Sequence, residues 1–226
     1  MIFQINQMKM SGKFLSMLFI ATFATMSVVG CGKTDSETKS TSASDLTGDW
    51  VLDCHGSNES YSRDMHSFTA DGSLVTTTTT ASDAACAVDV SQILAVAYSF
   101  KTSESSVAGA IEIDATKLPV AILVLMNASS VATANTGSLC GATDWAIGTQ
   151  KDVSDCAAIN DELPSSFYSL AKVDTTATPN TLQLGDCESV SGVDCTTDAK
   201  RATSLGTDMF KKETSSSQIK LITQGF

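Results

Sequence analysis

The chain has 226 residues, 14 basic and 25 acidic, a net of −11 with neutral histidines. That balance excludes a surface built to neutralise nucleic-acid phosphates and a patch built to grip anionic lipid. It suits a soluble acidic domain, and 42% hydrophobic residues are enough for one core within the ~100–200 residues typical of a domain.

Lys9 and Lys13 open the chain, and Phe14 to Gly30 carry no charge. A basic start, an apolar run and small residues before a cut describe a secretory signal peptide over residues 1–30. The run falls short of the ~20 residues of a membrane span, and no basic flank follows it. Val28-Val29-Gly30-Cys31 resembles the lipobox of bacterial lipoproteins, whose cysteine is acylated on sulfur and becomes the new N-terminus. The resemblance implies two or three acyl chains on Cys31, where a single chain would hold only reversibly. Cleavage removes two lysines and no acid, so the mature chain is more acidic still. Residues 31–45 are Ser, Thr and charge beyond the cysteine, too polar to offset their ordering entropy; they read as a flexible tether. Gly32, where retention signals place aspartate, implies the outer membrane by resemblance to Gram-negative lipoprotein sorting. The expected address is the cell envelope, and the expected partner is a membrane held through the N-terminal lipid.

With Cys31 given to lipid, six of the seven cysteines remain: Cys54, Cys86, Cys140, Cys156, Cys187 and Cys195. An oxidising envelope favours disulfides. Six cysteines allow fifteen connectivities; sequential pairing closes the shortest loops and is the one expected. No C-x-x-C spacing occurs, and His55 and His66 are the only histidines, so no metal or other cofactor is expected.

From Leu46 on, short Thr-, Val- and Ala-rich runs alternate with turns, the pattern of strands. Strands are expected over 47–54, 60–69, 74–80, 93–101, 107–114, 119–126, 143–150, 166–173, 180–185 and 208–212. Asp71-Gly72 supplies a hairpin turn between the second and third. Short links make neighbours antiparallel. The expected fold is all-β: a single antiparallel up-and-down barrel of about 8–10 strands over residues 46–226, closed so that no edge is exposed. The run at 119–126 is apolar on both faces, so a loop, the C-terminal tail or a partner must cover the second face.

The opening Gly48-x-Trp50 resembles the first strand of lipocalins and related calycin barrels. The likeness extends through Cys54, Asp71-Gly72, Cys86, Cys140-Gly141-x-x-Asp144-Trp145-Ala146, Lys151-Asp152-Val153, Cys156, Leu182-x-Leu184-Gly185-Asp186, Arg201-x-Thr203-Ser204-Leu205 and Phe210-Lys211-Lys212. Over about 48–212 the chain looks like a group of lipocalin-like (calycin-type) bacterial lipoproteins. The resemblance implies a fold rather than an activity. It implies that Trp50 plugs the closed end, with Arg201, Lys211 or Lys212 packed over it. Ala202 stands where the group usually has proline.

Catalytic signatures are missing. There is no G-x-S-x-G elbow, P-loop, EF-hand or H-E-x-x-H. Ser36 to Lys39 forms an S-x-x-K, but in the tether. Asp49, Asp53 and Asp144 lie near tryptophans, as a glycosidase's carboxylates can, but read as solvated strand residues. No catalytic residue and no enzyme activity are expected. Trp50, Trp145 and Arg201 are the candidates for barrel plug or ligand contact, and Tyr98 and Tyr168 the further aromatics. The expectation is a non-enzymatic module taking a small apolar or amphiphilic ligand in the barrel mouth. The alternative is a filled barrel acting in structure or protein contact, such as an inhibitor of a wall-degrading enzyme or a surface contact factor. Ala95, Ala97, Ala108 and Ala110 pointing inward would favour a cavity.

Overall fold

A computed structural model describes residues 40–58, 60–187 and 193–213. The expected signal peptide, Cys31 and the expected tether as far as residue 39 lie outside the described residues.

Alternating apolar residues and tight turns produce nine strands: β1 Gly48–Ser57, β2 Ser60–Phe68, β3 Ser73–Ala81, β4 Val90–Glu104, β5 Ile111–Leu125, β6 Gln150–Asp152, β7 Ser166–Asp174, β8 Thr181–Leu184 and β9 Phe210–Lys212. Every pairing is antiparallel. The sheet runs β4-β3-β2-β1-β9-β8-β7-β5, and β4 pairs with β5 to close it. The result is an eight-stranded up-and-down barrel, compatible with a lipocalin-like fold, with β6 added along the upper part of β5. Gly72 supplies the left-handed backbone of the β2–β3 turn at φ +87°, which a side chain would resist.

Three expectations need correction. The runs at 107–114 and 119–126 are not separate strands: Val107 to Ala110 form a turn, and a single β5 follows. Its register skips between Tyr98↔Lys117 and Val96↔Ala121, leaving Leu118 to Val120 as a bulge. Pro119 has no N–H to give a ladder, so the bulge is where the strand tolerates it. The stretch 143–150 is loop apart from Gln150. It belongs to an insertion between β5 and β7 that begins with a helix, α2, at Ala128–Thr136. Asn127 caps α2 by accepting the Ser130 N–H at 2.8 Å, satisfying one of the free donors of a helix start. Third, the domain begins before residue 46. Buried Thr41 donates its hydroxyl to Gly109 O at 2.7 Å and accepts the Val173 N–H at 2.9 Å. A short helix, α1, at Ala43–Leu46 then sets Leu46 in the core.

These contacts close the lower end of the barrel. Leu46, Trp50, Phe68, Leu74, Val96, Tyr98, Ile113 and Phe210 form the core there. The insertion adds Trp145, Val153, Cys156 and Ile159 to the same cluster, together with Ala121, Leu123 and Leu125 of β5. It is therefore the insertion that covers the inner face of the 119–126 run. Three disulfides join Cys54 to Cys86, Cys140 to Cys156 and Cys187 to Cys195. They tie β1 to the β3–β4 loop, close the insertion, and pin the segment after β8.

Candidate functional site

Strand register fixes which side chains face the barrel interior. Gly48, Phe68, Leu74 and Tyr98 share the lowest level, and Trp50, His66, Thr76 and Val96 the next. Above them come Leu52, Asp64, Thr78 and Leu94, backed by Leu123. A bulge between Leu52 and His55 brings His55 opposite Ser62, so His55 joins the inner series with Ser62, Thr80 and Gln92. The lowest level is packed solid. In the upper levels Leu52, Asp64, His66, Thr76, Thr78, Thr80, Gln92 and Leu94 are each only half-buried.

His66 marks the depth of this opening. Its Nδ1 is sealed and has no hydrogen-bond partner among the described residues, and its ring packs 4.8 Å from that of Phe210. Burial pushes its pKa down to about 4, against the pull of Asp64. The residue nevertheless keeps part of its surface open to solvent. With the inner-face residues of the levels above it also only half-buried, His66 lies at the floor of a recess in the upper barrel. The wall above it is split. One side carries Asp64, whose Oδ1 accepts the Thr78 hydroxyl at 2.7 Å and whose Oδ2 lies 3.5 Å from His55 Nε2. The apolar surface beside it comes from Leu52 and Leu94, both only partly buried. The arrangement can hold a molecule with one polar end.

Trp50 is fully buried at the closed end, and its indole N–H donates to Leu46 O at 2.6 Å. Of the three candidate cations it is Lys212 that lies over the ring, with Nζ 5.1 Å from the centroid. Lys211 instead pairs with Asp53. Arg201 is a correction: it is nowhere near Trp50. Glu112 and Asp114 alternate with the inward Ile111 and Ile113, so they face outward and draw the guanidinium to the outer wall. There Arg201 binds Asp114 at 2.5 Å and Asp198 at 2.7 Å, with Glu112 at 3.6 Å and Tyr168 beneath it. It clamps the segment carrying Cys195, Ala202 and Leu205 onto Leu170.

Trp145 anchors the insertion rather than lining the recess. Asn135 brackets its backbone at 2.7 and 3.0 Å, and its indole N–H donates to Leu139 O at 3.2 Å. Asp144 is spent on Lys151. Tyr98 is core, edge-on to Phe167 at 5.3 Å. Ala95 and Ala97 are buried but alternate with the inward Leu94, Val96 and Tyr98, so they face outward; Ala108 is exposed, and Ala110 is buried just below β5. The alanines therefore do not shape the interior.

Among the described residues, no group of three or more His, Cys, Asp or Glu is placed to hold a metal ion. Among them, too, no helix is long and apolar enough to cross a membrane. Sequence reasoning weighs His55 and His66 only as metal ligands and misses Asp64; the available signal is the i, i+2 spacing of Asp64 and His66 on a strand. No protein-family model matches the chain, and no curated protein matches it.

Proposed function

We propose that this chain is an exported lipoprotein, cut before Cys31 and held at the outer membrane by lipid on that residue, whose barrel binds a small amphiphilic molecule without turning it over. The address rests on the apolar run ending in Val28-Val29-Gly30-Cys31. The binding reading rests on one observation: the upper inner face, from His66 through Asp64, Thr78, Leu52 and Leu94, is only half-buried and carries polar and apolar side chains together. A second reading, contact with a protein, is favoured by Val88 and Ile147, exposed at 81% and 57% on loops that flank the upper end.

Native mass spectrometry of the protein purified from its own envelope tests both parts. The expected mass begins at Cys31 and carries acyl groups, with a further small molecule released on unfolding. A chain that begins upstream, or carries no acyl group, overturns the anchor. A fully acylated chain without any small molecule, retained by a partner protein instead, overturns the ligand reading in favour of the second. Cys31→Ala supplies a control: that variant should leave the membrane fraction.

A further inference from the structure

The recess carries a bias of charge that narrows the class of its ligand. Asp64 is the acid on its inner wall, 26% exposed at the side chain. A carboxylate has about four lone-pair sites. Among the described partners Asp64 accepts a single short hydrogen bond, from Thr78, while His55 stands 3.5 Å away and is charged only when protonated. The cations that could offset Asp64 are turned elsewhere. Lys212 has its Cε beside the position a Cβ on Gly48 would take, 2.9 Å from it, so it points to the closed end. Lys117 donates to Asn160 Oδ1 at 2.8 Å. Arg63 alternates with the inward Ser62 and Asp64 and so faces outward. On the floor, His66 Nδ1 is sealed without a partner among the described residues. Protonating that nitrogen would bury an unpaired donor, so the imidazole stays neutral and adds no positive charge.

We infer, resting on the ligand-binding reading above, that the recess takes an amphiphile whose head is a cationic hydrogen-bond donor, a protonated amine, with a short apolar chain lying against Leu52 and Leu94. The head completes the empty acceptor sites of Asp64, and the chain covers the apolar wall. A carboxylate head would instead meet Asp64 as a like charge in a partly desolvated site. The site thus selects against fatty acids and for amines of the same length.

Three probes of equal chain length separate the outcomes: octylamine, octanol and octanoate, titrated calorimetrically into the mature domain near neutral pH. Octylamine is expected to bind at least about tenfold tighter than octanoate, the scale of one charge-assisted hydrogen bond, with octanol between them. Asp64→Asn, checked by circular dichroism for retained fold, should bring the amine down to the level of the alcohol. Octanoate binding as tightly as octylamine, or an amine preference that survives in Asp64→Asn, overturns the inference while leaving the recess a binding site. No binding of any of the three, octanol included, overturns the ligand reading itself.

Discussion

Replacing His66 with phenylalanine should make the domain less sensitive to mild acid. The unfolded imidazole takes up a proton as the pH falls below 6.5, whereas the folded one does so only near 4. Between those values the unfolded chain binds more protons, so stability drops as the pH drops. The contribution is whole above 6.5 and is lost progressively toward 4. A tenfold difference in proton affinity between the folded and unfolded ring is worth ~1.4 kcal/mol, and the ring is partly wetted, so His66 accounts for about 2–3 kcal/mol across the window. Phenylalanine cannot titrate and removes the unpartnered Nδ1. Its ring would sit where the imidazole lies, 4.8 Å from Phe210 and 6.4 Å from Phe68. Urea unfolding of the wild type and of His66→Phe, followed from about pH 7 to about pH 4.5, measures the difference directly. Near neutrality the two should be close, and toward acid the variant should become the more stable by most of that amount. Carboxylates held low by hydrogen bonds, such as Asp83 and Asp152, also lose stabilising power in acid, but they do so equally in both proteins. If the wild type and the variant lose the same stability over the window, the reasoning about His66 is refuted.

Trp50→Ala should cost ~3–5 kcal/mol for a fully buried indole, read as a fall of roughly 10 °C in Tm for a domain of this size. Trp50→Phe isolates the bond to Leu46 O and should cost about 1–3 kcal/mol for the carbonyl left unsatisfied; a phenylalanine variant that melts like wild type would remove that bond from the account. Arg201→Ala should leave the barrel folded and loosen the segment from Asp194 to Leu205, seen as faster limited proteolysis there. Arg201→Lys should not restore protection, because one ammonium cannot span Asp114, Asp198 and the Ser169 carbonyl, which Arg201 Nη1 reaches at 3.3 Å.

What was legible in the sequence was whatever depends on neighbours along the chain. Asp71-Gly72 between two strand-like runs marked its hairpin, and the threonine tract from Thr76 to Thr80 read as a strand because threonine is β-branched. The cysteines paired in order because each pair closes a local loop. The helix α2 was missed because Ala128–Thr136 is built of small and β-branched residues with no strong apolar stripe; only Asn127 and Gly137 at its ends hinted at it.

Which side of a strand faces inward was another matter. Residues 93–98 are apolar on both faces, so alternation could not tell Ala95 and Ala97 from Leu94, Val96 and Tyr98. Only closure of the ring, with β4 against β5, put the bulky set inside. His55 reached the interior through a bulge that reverses its face, a feature set by the pairing of β1 with β2 and by nothing local. Arg201 went to the outer wall because Glu112 and Asp114, nearly ninety residues earlier, wait there. The sequence by itself determined that the chain makes a disulfide-linked antiparallel body, since strand propensity, turns and cysteine spacing are local properties. The tertiary structure alone decided that Asp64 and His66 meet His55 and Thr78 around a wetted recess, because register and closure act between residues that the chain keeps apart.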